Sequence, residues 1–438
     1  MQVSTTRRRR RWLAAIVAPL AGCATAPPPS APPPTAPVNA AASASDAAGA
    51  PLAAASAPDA IDPARPPDFV RWLDGLRSAA RAAGIDEATL RDLDGVRLLP
   101  RVIDQDRAQP EFNRTVWDYL DSAVSPQRVA TGQDKLAALR ETGDAVQARY
   151  GVAPPVIVAI WGIESAYGRN YGDIPTLDAL ATLGFDGRRE AWARGQLIAA
   201  LKILQRGDIA REQMIGSWAG AMGQTQFLPT VFLDNAVDAD GDGRCDIWNS
   251  LPDVMASTAN FLVRSGWRGE LPWGTEVRLP AGFDVGRADP QLRQPTAAWV
   301  AEGVLPLDGA PPLPELPDAA ILLPAGARGP AFLVGANFRA LLRYNNSTSY
   351  ALAVGLLAQR LAGGAGVQAA WPRDLVALTR TQMTALQSAL NARGYASGEA
   401  DGMMGPATRD AIRRWQRSVG LPADGYPTLE MLQRLQPP

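Results

Sequence analysis

The segment Val156-Ile157-Val158-Ala159-Ile160-Trp161-Gly162-Ile163-Glu164 carries one charge in nine residues, and that charge is a carboxylate. Pro154 and Pro155 precede it and suit the first turn of a helix, where a missing N–H costs nothing. Gly168 suits the C-terminal end. In a helix, Ile157, Ile160, Trp161 and Glu164 share one face at three- and four-residue spacing. The chain must therefore build a core over this stripe and carry a carboxyl group to its end. Burying an ionised carboxylate is expensive unless the group is paired or changes its pKa. Helix position alone allows a structural Glu164 paired with Arg169 or Arg188. It equally allows a partly desolvated carboxyl that stays protonated near neutral pH, as a general acid requires.

The surrounding sequence predicts a mainly α fold. Asp68 is a candidate N-cap, followed by Phe69, Trp72, Leu73 and Leu76 at helical spacing. Helical patterns then continue to about residue 265, among them Leu136 with Leu139, and Leu197 with Leu201 and Leu204. Residues 268–335 change character: Pro and Gly become frequent, and TEVRL, AAWVA and AILL read as small strands within loops. Helix returns at Phe338–Leu342 and Tyr350–Leu361. Residues 363–373, GGAGVQAAWPR, read as a linker, and 374–438 as a compact C-terminal unit of three short helices. Its stripes are Met383, Leu386 and Leu390, then Ile412, Trp415 and Val419, then Leu429, Leu432 and Leu435. Two turns echo each other, Asp401-Gly402-x-x-Gly405-Pro406 and Asp424-Gly425-x-Pro427-Thr428.

Composition narrows the chemistry. The 438 residues contain no histidine, which excludes Ser-His-Asp and Cys-His catalysis and histidine-ligated metals. Acid–base work near neutral pH falls to carboxylates, Lys, Tyr or a metal-bound water. A net charge of −1 gives no sign of a nucleic-acid-binding surface.

Residues 1–23 read as an export signal. A basic run, Arg7–Arg11, precedes a short apolar stretch ending in Leu20-Ala21-Gly22-Cys23, which resembles a bacterial lipobox with Cys23 as the lipidated residue. Lipidation tethers a protein to a membrane without a spanning helix. Residues 24–66, rich in Ala, Pro and Ser, read as a disordered tether. With Cys23 carrying lipid, Cys245 stands alone and no intrachain disulfide is expected.

Two further motifs carry chemistry. In Ala219-Gly220-Ala221-Met222-Gly223-Gln224-Thr225-Gln226, small residues allow close backbone approach to a ligand, and Gln226 offers an amide that can both donate to and accept from it. Asp238, Asp240, Asp242 and Asp246 stand at positions 1, 3, 5 and 9 of a loop with Gly243 at position 6, as in an EF-hand. Position 12 is Asn249, and Asp253 lies at position 16 as the candidate closing ligand. This is a candidate structural site for Ca²⁺ or Na⁺, whereas no cofactor is required for catalysis.

Four stretches, taken in order, resemble the membrane-bound lytic murein transglycosylase B family. They are IESAYGRN with LDALATL (163–170, 177–183), AGAMGQTQFLPT (219–230), DADGDGRCDIWNSLPDVMASTANFL (238–262) and RYNNSTSYA (343–351). The likeness runs over about residues 67–362. It implies a lysozyme-like helical catalytic domain with a small β-containing insertion. It also implies cleavage of the MurNAc–GlcNAc β-1,4 bond of peptidoglycan without water, leaving 1,6-anhydro-muramyl ends. Glu164 matches the family's single catalytic glutamate. Ser217, Gln226, Tyr344, Asn345 and Tyr350 fall on cleft positions, while Gln224 stands where the family often has an aromatic. Residues 374–438 resemble the peptidoglycan-binding domain of many wall enzymes. The expected protein is thus a monomeric lipoprotein on the periplasmic side of the bacterial envelope, anchored in the outer membrane and acting on glycan strands. The other readings are a hydrolytic muramidase and a non-catalytic wall anchor.

Overall fold

The computed structural model of the chain describes residues 62–108 and 114–436. The export signal, Cys23 and most of the tether lie outside these residues. Among the described residues no helix is long and apolar enough to cross a membrane.

The helix that carries the apolar run spans Pro154–Ser165, with both prolines in its first turn. A single apolar face is expected from the sequence. Instead every residue from Val156 to Ser165 is buried, so this helix is the axis of the domain and the others surround it. The helices Pro126–Ala138, Arg140–Tyr150, Leu251–Arg264 and Thr348–Leu361 all pack on it. Gly143 lets one of them come close: a Cβ there would sit 3.1 Å from the Pro154 ring. The helix also ends earlier than Gly168. Ala166 and Tyr167 adopt left-handed φ values of 49° and 61°. Such conformations cost non-glycine residues free energy and persist only where the surroundings impose them. Here Tyr167 is buried, packs edge-on against Trp161 and donates its hydroxyl to the Arg128 carbonyl at 2.7 Å.

The first helix runs Pro67–Ala82, with Asp68 in its first turn and Pro66, not Asp68, at the N-cap. A second packing layer joins Thr176–Phe185 to Glu190–Arg206. Just before it, Ile174–Pro175 pairs antiparallel with Ile215–Gly216.

The insertion forms its own small core beside the helices. Its sheet is antiparallel, in the order Leu305–Pro306, Gly274–Arg278, Ala331–Val334, Ala320–Leu322. TEVRL and AILL are strands as expected. AAWVA is not: Thr296–Ala301 is a short helix that buries Trp299 completely. Its alanines favour helix, and the indole N–H reaches the Ala319 carbonyl at 3.0 Å, a contact that sequence spacing does not reveal.

The C-terminal unit has three helices, Arg380–Ala392, Pro406–Ser418 and Leu429–Leu435. Thr379 and Gln382 close a capping box on the first. Met383, Leu386, Leu390, Ile412, Trp415, Met431, Leu432 and Leu435 make its core. Val419 and Leu429, read as stripe residues, are instead 46% and 42% exposed. Both sit at helix ends, where the stripe turns away from the core.

Candidate active site

Glu164 occupies the last turn of the central helix and is 3% exposed. Arg188, one candidate partner, is committed elsewhere: it pairs with the buried Asp106. The Arg169 guanidinium donates to the Ala166 carbonyl at 3.2 Å. A phenol also meets Glu164: Tyr350 donates its hydroxyl to Glu164 Oε1 at 2.6 Å. Tyr350 reaches this point from the first turn of Thr348–Leu361, which Ser347 caps by accepting the Tyr350 N–H.

Tyr344 stacks on Tyr350 with ring centroids 6.3 Å apart and donates its hydroxyl to the Thr225 carbonyl at 2.7 Å. Tyr119, from the helix Val116–Ala123, is the third phenol that feels this carboxylate. Burial first, and the Glu164 charge second, push all three phenols up from their ordinary value. They therefore remain neutral hydrogen-bond donors through the whole range in which a carboxyl group titrates. Tyr119 has no motif around it, and the only signal for it in the sequence is an aromatic within an amphipathic helix.

The loop 215–228 joins this group through Thr225. Gln226 sits in a left-handed conformation, φ 53°, and its amide donates to the carbonyls of Tyr171 and Gly223, both at 2.9 Å. Its N–H₂ group thus holds two loops together. Gln224 has a comparable part: it accepts the Trp161 indole N–H at 2.8 Å and donates to the Trp248 carbonyl at 2.6 Å. The small residues serve packing as well. A Cβ on Gly216 would lie 1.9 Å from the Ala221 carbonyl oxygen, and one on Gly223 2.8 Å from that of Ile247. Ser217, half-buried, accepts the Ala221 N–H at 3.2 Å and so shapes the turn. Asn345, buried, caps the helix Ala336–Tyr344 immediately after Tyr344. The structure thus brings Tyr350 against Glu164 and Tyr344 against Tyr350. Tyr344 links this group to the Gln226 loop through Thr225.

The acidic loop borders the 215–228 loop, since the Gln224 N–H donates to the Ile247 carbonyl at 2.8 Å. Carboxylate oxygens of Asp238, Asp240 and Asp253 come within 4.8 Å of one another. Asp242 and Asp246 are not in that group. Asp246 instead accepts the N–H groups of Trp248 and Asn249, both at 2.9 Å, and Asp242 that of Arg244. Asp253 is fully buried and holds the loop by accepting from Ala239 and Asp246, both at 2.7 Å. Burial pushes its carboxyl up from the usual range. Three converging hard oxygen donors suit Ca²⁺ or Na⁺ chemically.

Residues 68–359 match the transglycosylase SLT domain, and 379–435 match the peptidoglycan binding domain. The membrane-bound lytic murein transglycosylase B of Escherichia coli K12 is 36% identical over 220 residues. That is 49% of this chain and 58% of the relative, so the match spans little more than half of that protein's length. The structure resembles that of SltB3 from Pseudomonas aeruginosa in complex with NAG-NAM-pentapeptide. Identity is 52%, coverage 84% of this chain and 99% of that one, and the TM-score 0.82. SltB3 with NAG-anhNAM-pentapeptide gives 0.81. The Escherichia coli lytic transglycosylase SLT35 in complex with calcium is 30% identical, covering 68% of this chain and 93% of that one, with a TM-score of 0.56. With two thirds of its length matched by the catalytic domain, the chain belongs to the transglycosylase SLT family.

Proposed function

We propose that the chain is a peptidoglycan lytic transglycosylase in which Glu164 is both acid and base. The observation that carries this reading is a single carboxyl group, 3% exposed, at the end of a buried helix and gripped by a buried phenol. In the first half of the reaction Glu164 gives its proton to the MurNAc–GlcNAc glycosidic oxygen, and the C1–O bond breaks. In the second, the Glu164 carboxylate takes the proton from the muramic C6 hydroxyl, whose oxygen closes on C1 to give the 1,6-anhydro end. No water is consumed, and the nucleophile is already tethered to the electrophile. A retaining or inverting hydrolase would use a second carboxylate. Asp178, the nearest buried carboxylate in sequence, is occupied by the Arg97 N–H at 3.0 Å and by Arg211. The likeness to SltB3, solved with a NAG-anhNAM-pentapeptide, supports the anhydro product.

Ser217, Gln226, Tyr344, Asn345 and Tyr350 are the proposed cleft residues, with Gln226 and Ser217 shaping the loop that faces the sugar. Asp238, Asp240 and Asp253 hold a structural Ca²⁺ or Na⁺, a reading favoured by the calcium complex of SLT35. The protein works in the cell envelope as a monomer, lipidated at Cys23 and anchored in the outer membrane. Digestion of purified sacculi followed by mass spectrometry tests the reaction. The wild type releases muropeptides lighter by one water than hydrolytic products, and Glu164→Gln releases none. Products of hydrolytic mass, or a fully active Glu164→Gln, would overturn the reading.

A further inference from the structure

The C-terminal unit contains the same hydrogen-bonded turn twice. In the first copy, Gln387 donates to Asp401 Oδ1 at 3.1 Å and accepts the Gly402 N–H at 2.8 Å, while Met403 donates its N–H to Asp401 Oδ1 at 2.8 Å. In the second, Gln416 donates to Asp424 Oδ1 at 2.7 Å and accepts the Gly425 N–H at 2.9 Å, and the Tyr426 N–H reaches Asp424 Oδ1 at 2.9 Å. Both glycines are left-handed, with φ 77° and 73°. A Cβ on Gly402 would sit 2.6 Å from Arg380 Cγ, and one on Gly425 2.7 Å from Arg409 Cγ. Arg380 and Arg409 therefore hold equivalent positions, as do the Oδ2 atoms of Asp401 and Asp424, which the turns themselves leave unused.

The second copy already holds peptide groups, supplied by this chain's own insertion. Asp424 Oδ2 accepts the Ala327 N–H at 2.8 Å. Arg413 donates to the Ala288 carbonyl at 2.7 Å and to Asp289 Oδ2 at 2.9 Å. The first copy, with Arg380 and Asp401 both exposed, has no such segment seated on it among the described residues. Thr384 stands in the place of Arg413, so this copy offers one guanidinium, not two.

We propose that the first copy is a peptide-recognition site that takes the stem peptide of peptidoglycan. The second copy shows the pattern with an internal occupant: a backbone N–H on the aspartate Oδ2, and a carboxylate paired with Arg413, one helical turn beyond Arg409. In the first copy Asp401 Oδ2 accepts a backbone N–H of the stem, and Arg380 meets one of its carboxylates. The module thereby reads the peptide part of the polymer while the Glu164 cleft acts on the glycan part. This rests on the proposed action on peptidoglycan and adds to it which portion the module holds.

The test uses the full chain in the Glu164→Gln background, with two probes: intact sacculi, and sacculi stripped of stems by an amidase. Asp401→Asn keeps an Oδ1 acceptor for Met403 and presents a donor where the stem N–H arrives. Arg380→Gln removes an exposed guanidinium together with the bond its Nε donates to the Asp401 carbonyl at 3.2 Å, and melting curves check that both variants fold. Loss of one charge-assisted contact predicts about tenfold weaker binding to intact sacculi for each variant, with binding to stripped sacculi unchanged. The free stem pentapeptide should compete with intact sacculi for the parent and not for the variants. Unchanged binding to intact sacculi, or an equal loss on stripped ones, would overturn the proposal. The anhydro-product measurement on wild type is independent of these variants, so failure here is separable from failure of the lyase reading.

Discussion

At the residue scale, two side chains make opposite uses of burial. Tyr350 is buried so that its phenol stays a donor to Glu164. Tyr350→Phe keeps the ring and its stacking on Tyr344 and deletes only that hydrogen bond. Removing a buried bond to an ionisable group costs about 1.5–3 kcal/mol. The expected result is a kcat lowered roughly ten- to a hundredfold, with the anhydro product unchanged in mass and KM little affected. Cys245 is buried without a catalytic use. Burial, with Asp208 next, pushes its thiol up to about 11. A raised thiol pKa means less thiolate at any pH below it, so near pH 8.5 the native reactive fraction is about a hundredfold lower than for an ordinary thiol. Alkylation by iodoacetamide at that pH should therefore be slow in the folded protein and fast in urea. Rapid labelling of folded protein would show that this thiol is open to solvent. Glu164 was legible in the sequence because an isolated charge in an apolar run is a local signal. Tyr119 was not, because its relation to Glu164 exists only after distant helices pack.

Among the elements, turn chemistry was legible where it repeats a local rule and hidden where packing decides. The acidic loop announces its donors, yet which carboxylates converge depends on the helix that begins at Leu251 and carries Asp253 into the core. Asp246 satisfies backbone N–H groups instead of joining the cluster. Likewise the small residues of 219–223 mark a place of close approach, and the groups they admit include the protein's own: the Leu180 side chain at Gly220 and the Ile247 carbonyl at Gly223. An ion at Asp238, Asp240 and Asp253 would bind the folded state alone. At a hundred times its Kd it would add about 2.7 kcal/mol, a rise of several degrees in Tm for a domain of this size. Calcium titrated into chelator-treated protein should give that rise. Asp240→Asn, at an exposed position, should reduce it while changing the metal-free Tm by little more than a degree. A calcium response identical in Asp240→Asn and wild type would remove Asp240 from the ligand set.

Across the whole molecule, the C-terminal module is held in place and not merely tethered. Residues 363–373 have a linker's composition, yet the strap they form is pinned along its length. Glu276 accepts the N–H groups of Gln368 and Ala369 at 2.8 and 2.9 Å. Trp371 packs against Trp117 and Phe332, and Arg373 forms a two-pronged ion pair with Asp121 at 2.7 and 2.9 Å. These contacts join residues far apart in the chain, so no window of sequence displays them, and Gly and Pro serve a strap as well as a tether. The firmest point is Arg413, buried between the Ala288 carbonyl and Asp289. Truncating one partner of a buried, hydrogen-bonded charge pair costs about 2–5 kcal/mol, because the groups left behind lose their partner. Arg413→Ala should therefore release the module without unfolding it, since its three-helix core does not include that side chain. Small-angle scattering should show a larger radius of gyration, and protease should cut within 363–378 faster than in wild type. Activity on insoluble sacculi should fall while cleavage of short soluble glycan strands is retained, because the cleft around Glu164 is untouched and only the placement of the wall-binding surface has changed. An unchanged scattering profile would mean that the strap alone fixes the module, and the double variant Arg413→Ala/Arg373→Ala would then be the one that releases it.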